Sequence, residues 1–92
     1  MPQKILTIGA ISSKSYLSQP HMTLDLLISK VKNLIEKEKI FEFDGLIVVQ
    51  IGTNDKSKLY LSDKIEFLRV LLHSLFPFAE SFNFKLPIDI NK

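Results

Sequence analysis

The clearest structural signal in this chain is the stretch FDGLIVVQIGTND, residues Phe43–Asp55. Within it, Leu46 to Ile51 form a short apolar run rich in Val and Ile, which predicts a strand buried on both faces. Asp44-Gly45 precede the run and Gly52-Thr53-Asn54-Asp55 follow it. Gly accepts positive φ, and Asn and Asp hydrogen-bond to their own backbone, so a turn is predicted at each end. A strand of this kind needs hydrogen-bonded neighbours on both sides.

Two further segments supply those neighbours. Lys4 to Ile11 (KILTIGAI) is apolar and β-branched, which predicts a first strand. Phe82 to Ile90 (FNFKLPIDI) alternates apolar and polar residues, which predicts a half-buried third strand. Pro87 has no N–H to donate, so this third strand is expected at an edge of the sheet.

Two helices are predicted between the strands, because apolar residues recur there at spacings of three and four. The first helix opens at Pro20 or Thr23. The second begins around Leu59 to Asp63, with Asp63 and Glu66 as a capping pair. Pro77 ends the second helix, and His73 falls on its exposed side.

The order of these elements predicts one α/β domain over residues 1–92: a small, three-stranded, mostly parallel sheet (βαβαβ) with two helices. The strand orders 1-2-3 and 2-1-3 both remain open. In the order 1-2-3, right-handed crossovers place both helices on one face. The other face would then expose one row of the central strand, either Leu46 and Val48 or Ile47, Val49 and Ile51.

Composition narrows the class of protein. The 92 residues are 46% hydrophobic and 24% charged, which is typical of one globular domain. A net charge of +2 gives no electrostatic argument for nucleic acid, and no apolar run approaches the ~20 residues that span a membrane. The chain lacks cysteine, and its two histidines form no ligand pair, so we expect no metal and no cofactor. A cytoplasmic protein is the expectation.

A site is expected at the carboxyl edge of the sheet, where ligands of open parallel sheets bind. The loops Ser12 to Gln19 and Gly52 to Lys58 leave the first two strands at this edge. Polar loops are also simply solvated, so their composition alone does not define a ligand. The candidate ligand-binding residues are Lys14, Ser15, Gly52, Thr53, Asn54 and Asp55.

The strand followed by Gly52-Thr53-Asn54-Asp55 resembles the third sequence block of the SGNH (GDSL-type) hydrolases, a strand followed by Gly-x-Asn-Asp. In that family the asparagine donates to the oxyanion hole, so the resemblance implies this role for Asn54. The family's first block is a strand followed by Gly-Asp-Ser, with the serine as nucleophile. The resemblance makes Ser12 and Ser13, together with Asn54, the candidate catalytic residues.

The chain departs from the SGNH pattern at two places. Gly9 matches the first block, but Ala10 and Ile11 stand where the acid and the nucleophile belong, and Ser12 is one position late. The Asp-x-x-His block that supplies the base has no counterpart, and a serine hydroxyl without a base is a weak nucleophile. The segment Gly9–Ser15 also ends in Lys-Ser as a P-loop does, but it is one residue short and lacks the second glycine.

We therefore predict a small non-catalytic binding or regulatory module that acts through protein–protein association, as a homo-oligomer or as a subunit of a larger assembly. The alternative is a reduced SGNH-like serine esterase with its site at the carboxyl edge. Association is favoured by an edge strand and by seven phenylalanines, which are generous for so small a domain. Four of the seven lie near the end of the chain: Phe76, Phe78, Phe82 and Phe84.

Overall fold

The computed structural model describes residues 3–12, 15–52, 55 and 60–86. Its elements in chain order are β1 (Ile5–Gly9), α1 (Leu24–Glu36), β2 (Leu46–Gln50), α2 (Leu61–Leu75) and β3 (Ser81–Lys85). The three strands form one parallel sheet in the order β1-β2-β3. The predicted α/β fold is confirmed, and of the two strand orders left open by the sequence the structure has 1-2-3.

Both helices pack against one face of the sheet, the helix face, and contact each other there. This arrangement follows from the strand order, because two right-handed crossovers running in the same direction place their helices on the same side. Ile47, Val49 and Ile51 of the central segment are fully buried beneath the helices. The helices contribute the other half of the core: Leu24, Leu27, Val31, Leu61, Ile65, Leu68, Leu72 and Leu75.

The opposite side, the open face, is built from three rows of residues in register. These rows are Ile5, Leu46 and Ser81; Thr7, Val48 and Asn83; and Gly9, Gln50 and Lys85. Val48 is only 8% exposed although no described helix covers it, and its cross-strand neighbours are Thr7 and Asn83. The apolar exposure of this face is therefore concentrated at Ile5, which is 60% exposed.

Helix α1 begins as one of the two sequence alternatives predicts. Thr23 is its N-cap, with extended backbone angles, and the Thr23 hydroxyl accepts a hydrogen bond from the Leu26 amide at 3.2 Å. Such a cap satisfies one of the amides that the first turn leaves without a helical partner. Asp25 follows in the first turn, where the helix dipole favours a negative charge.

Helix α2 begins at Leu61, within the predicted range of Leu59 to Asp63, but the proposed capping pair is wrong. Its N-cap is Tyr60, which lies in the left-handed region at φ 63° and makes no side-chain cap. Asp63 is already inside the first turn, where it can favour the dipole but cannot cap the end. Glu66 pairs with Arg69 at 3.5 Å instead of reaching back to the start of the helix.

Strand β3 lies at an edge of the sheet, as predicted, and alternates as predicted. Phe82 and Phe84 are half-buried against the core, whereas Ser81, Asn83 and Lys85 are exposed. The assigned strand covers five residues, Ser81–Lys85, and not the nine from Phe82 to Ile90. Residues 87–90, including the predicted edge residue Pro87, lie outside the described part of the chain.

Candidate functional site

The turn after β1 requires a glycine. Gly9 has φ 107°, a backbone conformation that L side chains rarely adopt. A Cβ at this position would also clash with the carbonyl oxygen of Gln50. The two strands come this close because the Ala10 amide donates to the same Gln50 carbonyl at 2.8 Å. Gly9 therefore directs the chain out of the sheet at the predicted carboxyl edge.

The loop that follows returns to the outer edge of β1 and closes it. The Gly9 amide donates to the Leu17 carbonyl at 2.9 Å, and the Gln19 amide donates to the Gly9 carbonyl at 3.1 Å. Ser18, only 2% exposed, donates its hydroxyl to the Thr7 carbonyl at 3.4 Å. Unpaired strand edges are templates for other chains, and this loop shields the carboxyl half of the β1 edge.

The amino terminus of α1 opens onto the same carboxyl edge and is held by a carboxylate of the chain itself. The Leu24 amide donates to Asp55 Oδ1 at 3.0 Å, so the loop after β2 supplies a second cap in addition to Thr23. Asp55 Oδ2 is buried and has no hydrogen-bond partner among the residues that the structure describes. A helix amino terminus is where a phosphate would bind in a P-loop arrangement. Here Asp55 already supplies the negative charge.

An ion pair joins the first turns of the two helices. Lys64 Nζ lies 3.0 Å from Asp25 Oδ1 and 3.2 Å from Oδ2. Both side chains are substantially exposed, so the pair adds little to stability. It links α2 to the first turn of α1 at Asp25, the residue after Leu24, whose amide Asp55 caps.

The structure describes four of the residues proposed for the site. Ser12 and Ser15 are exposed in the loop after β1, Gly52 is buried at φ 104°, and Asp55 is half-buried in its capping position. The remaining candidates, Ser13, Lys14, Thr53 and Asn54, lie outside the described residues. Over residues 3–12, 15–52, 55 and 60–86, no group of three or more His, Asp or Glu side chains is placed to hold a metal ion.

Sequence reasoning missed a small cluster that fixes the tip of the returning loop. Asn33 Nδ2 donates to the Tyr16 hydroxyl at 2.8 Å, and Lys30 Nζ lies 4.8 Å from the centre of the Tyr16 ring. Lys30 also donates to Gln19 Oε1 at 3.3 Å. The spacing of Lys30 and Asn33 on one side of α1 was visible in the sequence, but nothing there identified Tyr16 as their partner.

An apolar pocket of about 380 Å³ adjoins this cluster, with Tyr16 as part of its lining. Phe41 and Phe76 stack in its wall, with ring centres 5.2 Å apart. Its charged lining residue is Glu42, and its lining is otherwise mostly aliphatic and aromatic. The complete lining is Leu6, Ile8, Ser15, Tyr16, Leu17, Leu34, Phe41, Glu42, Phe43 and Phe76.

A second recess of about 450 Å³ lies along β3, under α2. The Arg69 guanidinium lies 4.6 Å from the centre of the Phe84 ring, and the His73 ring meets the Phe82 ring edge-on at 4.7 Å. His73 is exposed, as predicted. The β3 groove, as we name it, is lined by Ser62, Ile65, Glu66, Arg69, Phe82, Asn83, Phe84 and Leu86.

Comparison of the chain with protein-family models, with curated proteins and with solved structures gives no match. No helix in the described ranges has both the length and the apolar character needed to cross a bilayer. The resemblance to the SGNH hydrolases therefore stays a prediction made from the sequence.

Proposed function

We propose that this chain is a non-catalytic binding module that acts by protein–protein association, through the open face of its sheet and the β3 edge. The observation that carries the proposal is the one-sided packing of a parallel sheet. Sheets of this kind usually have both faces covered, whereas both described helices lie on the helix face. An association partner would supply the missing cover.

The chemistry of the open face supports contact with another protein surface. Its amino-terminal half carries Ile5 and Leu46, and its carboxyl half carries Gln50 and Lys85. An apolar area beside polar residues is the composition of many protein interfaces. The open face also carries little charge: within the three rows, Lys85 is the charged residue. A homo-oligomer or a larger assembly would bury this surface.

The alternative, a reduced SGNH-like esterase, draws its support from the exposed Ser12 at the carboxyl edge. It lacks a base among the described contacts: neither His21 nor His73 is hydrogen-bonded to a serine in the residues described. Asp55, the last residue of the SGNH-like block, is committed to capping α1. The geometry therefore favours the binding module.

Association through the open face is tested by a charge placed on it. Ile5→Lys adds a cation at the exposed end of the face. This change is expected to lower the association constant about tenfold or more, because the ammonium group would lose its hydration when the face is buried. Phe67→Lys is the matched control, since Phe67 is 47% exposed on α2, an element of the other side. Light scattering across micromolar concentrations measures both. Equal loss of association in the two variants would reject the open face as the interface.

A fluorophosphonate probe separates the two functions. The binding module is expected to remain unlabelled at the concentrations that label a serine hydrolase stoichiometrically. Stoichiometric labelling that is abolished by Ser12→Ala or by Ser13→Ala would overturn the proposal in favour of the esterase.

A further inference from the structure

The outer edge of β3 carries backbone groups that lack a partner in the described chain. The Ile51 amide donates to the Lys85 carbonyl at 3.3 Å, and the register pairs Gln50 with Lys85. In a parallel ladder, alternate residues direct their amide and carbonyl to the same neighbour. Lys85, Asn83 and Ser81 therefore face β2, and Phe82 and Phe84 direct their backbone groups outward.

The two edges of the sheet differ in this respect. The carboxyl half of the β1 edge is shielded by Leu17, Ser18 and Gln19. No such loop bonds to Phe82 or Phe84 among the described residues. An edge with regularly spaced free amides and carbonyls is a template for another strand. Among the described residues, β3 is the edge that no loop shields at its centre.

The sequence of β3 is nearly symmetric about its centre. It reads Ser-Phe-Asn-Phe-Lys, with Phe82 and Phe84 equally spaced on either side of Asn83. A twofold interface requires that a surface be complementary to itself, with residue i opposite j and j opposite i. If the twofold axis passes Asn83, Phe82 of one copy and Phe84 of the other exchange both of their backbone hydrogen bonds, which gives four bonds in all.

The charges at the ends of β3 fit this antiparallel arrangement. Lys85 comes to lie opposite Ser81 of the second copy. The antiparallel register therefore keeps the two Lys85 cations at opposite ends of the interface. A parallel pairing in register would instead place the two Lys85 side chains next to each other, which is unfavourable.

The side chains of the β3 groove add apolar contact to the backbone pairing. Phe82 and Phe84 are half-buried and pack against the core. In the antiparallel register each Phe82 meets a Phe84, and cross-strand aromatic pairs stabilise sheets. Within the chain, the Arg69 guanidinium lies over the Phe84 ring and the His73 ring packs edge-on against the Phe82 ring, and these contacts position both rings.

From these observations we infer that the partner of the β3 edge is a second copy of this chain, bound antiparallel about a twofold axis at Asn83. The result is a continuous six-stranded sheet whose two open faces join into one surface. This inference rests on the proposed function and identifies the association partner as a second copy of the chain. Six strands is also a common sheet size, whereas three is small.

Because the chain has no cysteine, one introduced cysteine tests the axis directly. Residues opposite each other in a non-hydrogen-bonded antiparallel pair have Cα atoms about 4.5 Å apart, which is within disulfide range. Asn83→Cys is therefore expected to form a covalent dimer under mild oxidation. Lys85→Cys is the matched control: it is exposed on the same face of the same strand, but its two copies would be about 13 Å apart and should not cross-link.

The outcomes distinguish this inference from the function on which it rests. We expect Asn83→Cys to cross-link and Lys85→Cys alone not to cross-link. A mixture of Ser81→Cys and Lys85→Cys is expected to give mixed dimers. If the unmodified protein associates but Asn83→Cys cross-links no faster than Lys85→Cys, the β3 interface is wrong and the association module stands. If the unmodified protein stays monomeric at about 200 µM, the second copy as partner is overturned, and the proposed function then requires a different protein as the partner.

Discussion

The backbone amide of Leu24, at the start of α1, donates to Asp55 Oδ1 at 3.0 Å. The two residues are 31 positions apart, and this bond ties the loop after β2 to the helix that precedes it. The contact gives the acid of the Gly-Thr-Asn-Asp segment a structural role. It also fills, from within the chain, the position where the α1 amino terminus would otherwise attract an anion.

Removal of this cap should destabilise the fold measurably. Asp55→Ala is expected to lower the free energy of unfolding by about 1–2 kcal/mol, the usual cost of losing an N-cap. Asp55→Asn, which keeps an oxygen acceptor, should recover much of the loss. Asp63→Ala is the control, because Asp63 is an exposed acid in the first turn of α2 without a capping bond. Urea denaturation measures all three, and equal losses for Asp55→Ala and Asp63→Ala would contradict the capping role.

The turn at Gly9 should tolerate no side chain. Gly9→Ala combines a left-handed backbone with a clash against the Gln50 carbonyl, and is expected to cost about 2 kcal/mol or more. Ala10→Gly, at the next position, is the comparison and should cost less, since Ala10 is only half-buried. Thermal and urea unfolding provide the measurement. A Gly9→Ala variant as stable as the parent would mean that β1 and β2 separate at this end.

Amide exchange should rank the strands by position in the sheet. Ile47 and Val49 lie in the central strand beneath both helices and are expected to have the slowest amides in the chain. Phe82 and Phe84, on the outer edge of β3, should exchange quickly at low concentration and slow down as the concentration rises. Fast exchange at Ile47 would contradict the central position of β2, and concentration-independent exchange at Phe84 would contradict pairing at the β3 edge.

A charge at the proposed twofold axis should weaken the dimer in a pH-dependent manner. Asn83→Asp places two carboxylates opposite each other, so dissociation is expected to increase at neutral pH. The dimer should recover as the pH falls below about 4, where an ordinary Asp is protonated. Asn83→Ala, which adds no charge, is the control. Asn83 is exposed, so neither change should unfold the chain. Equal dissociation constants for the two variants at neutral pH would place the axis elsewhere.

Much of the fold could be predicted because its signals are local. The apolar run Leu46 to Ile51 and its flanking turns indicated β2, and the alternation around Phe82 and Phe84 indicated β3. Strand order could not be chosen, because the periodicity within each segment does not say which strands are neighbours. The cap of α2 was predicted wrongly because Asp63 fits the sequence pattern of a cap. In the structure Tyr60 takes the left-handed conformation, and the helix already begins at Leu61, before Asp63.

The candidate site was harder to predict, because its contacts join distant parts of the chain. Asp55 was selected as a ligand-binding residue from its place at the carboxyl edge, yet its bond to Leu24 depends on how two loops meet. The interaction of Tyr16 with Lys30 and Asn33 likewise crosses from a loop to a helix. No periodic pattern carries this information, since neither loop repeats.

The association of this chain is tested most directly by sedimentation equilibrium of the unmodified protein across micromolar concentrations. The predicted result is a weight-average mass that rises with concentration from the monomer value of 10.6 kDa to at least twice that value. A single species of 10.6 kDa at every concentration, up to about 200 µM, would contradict self-association through the open face and the β3 edge.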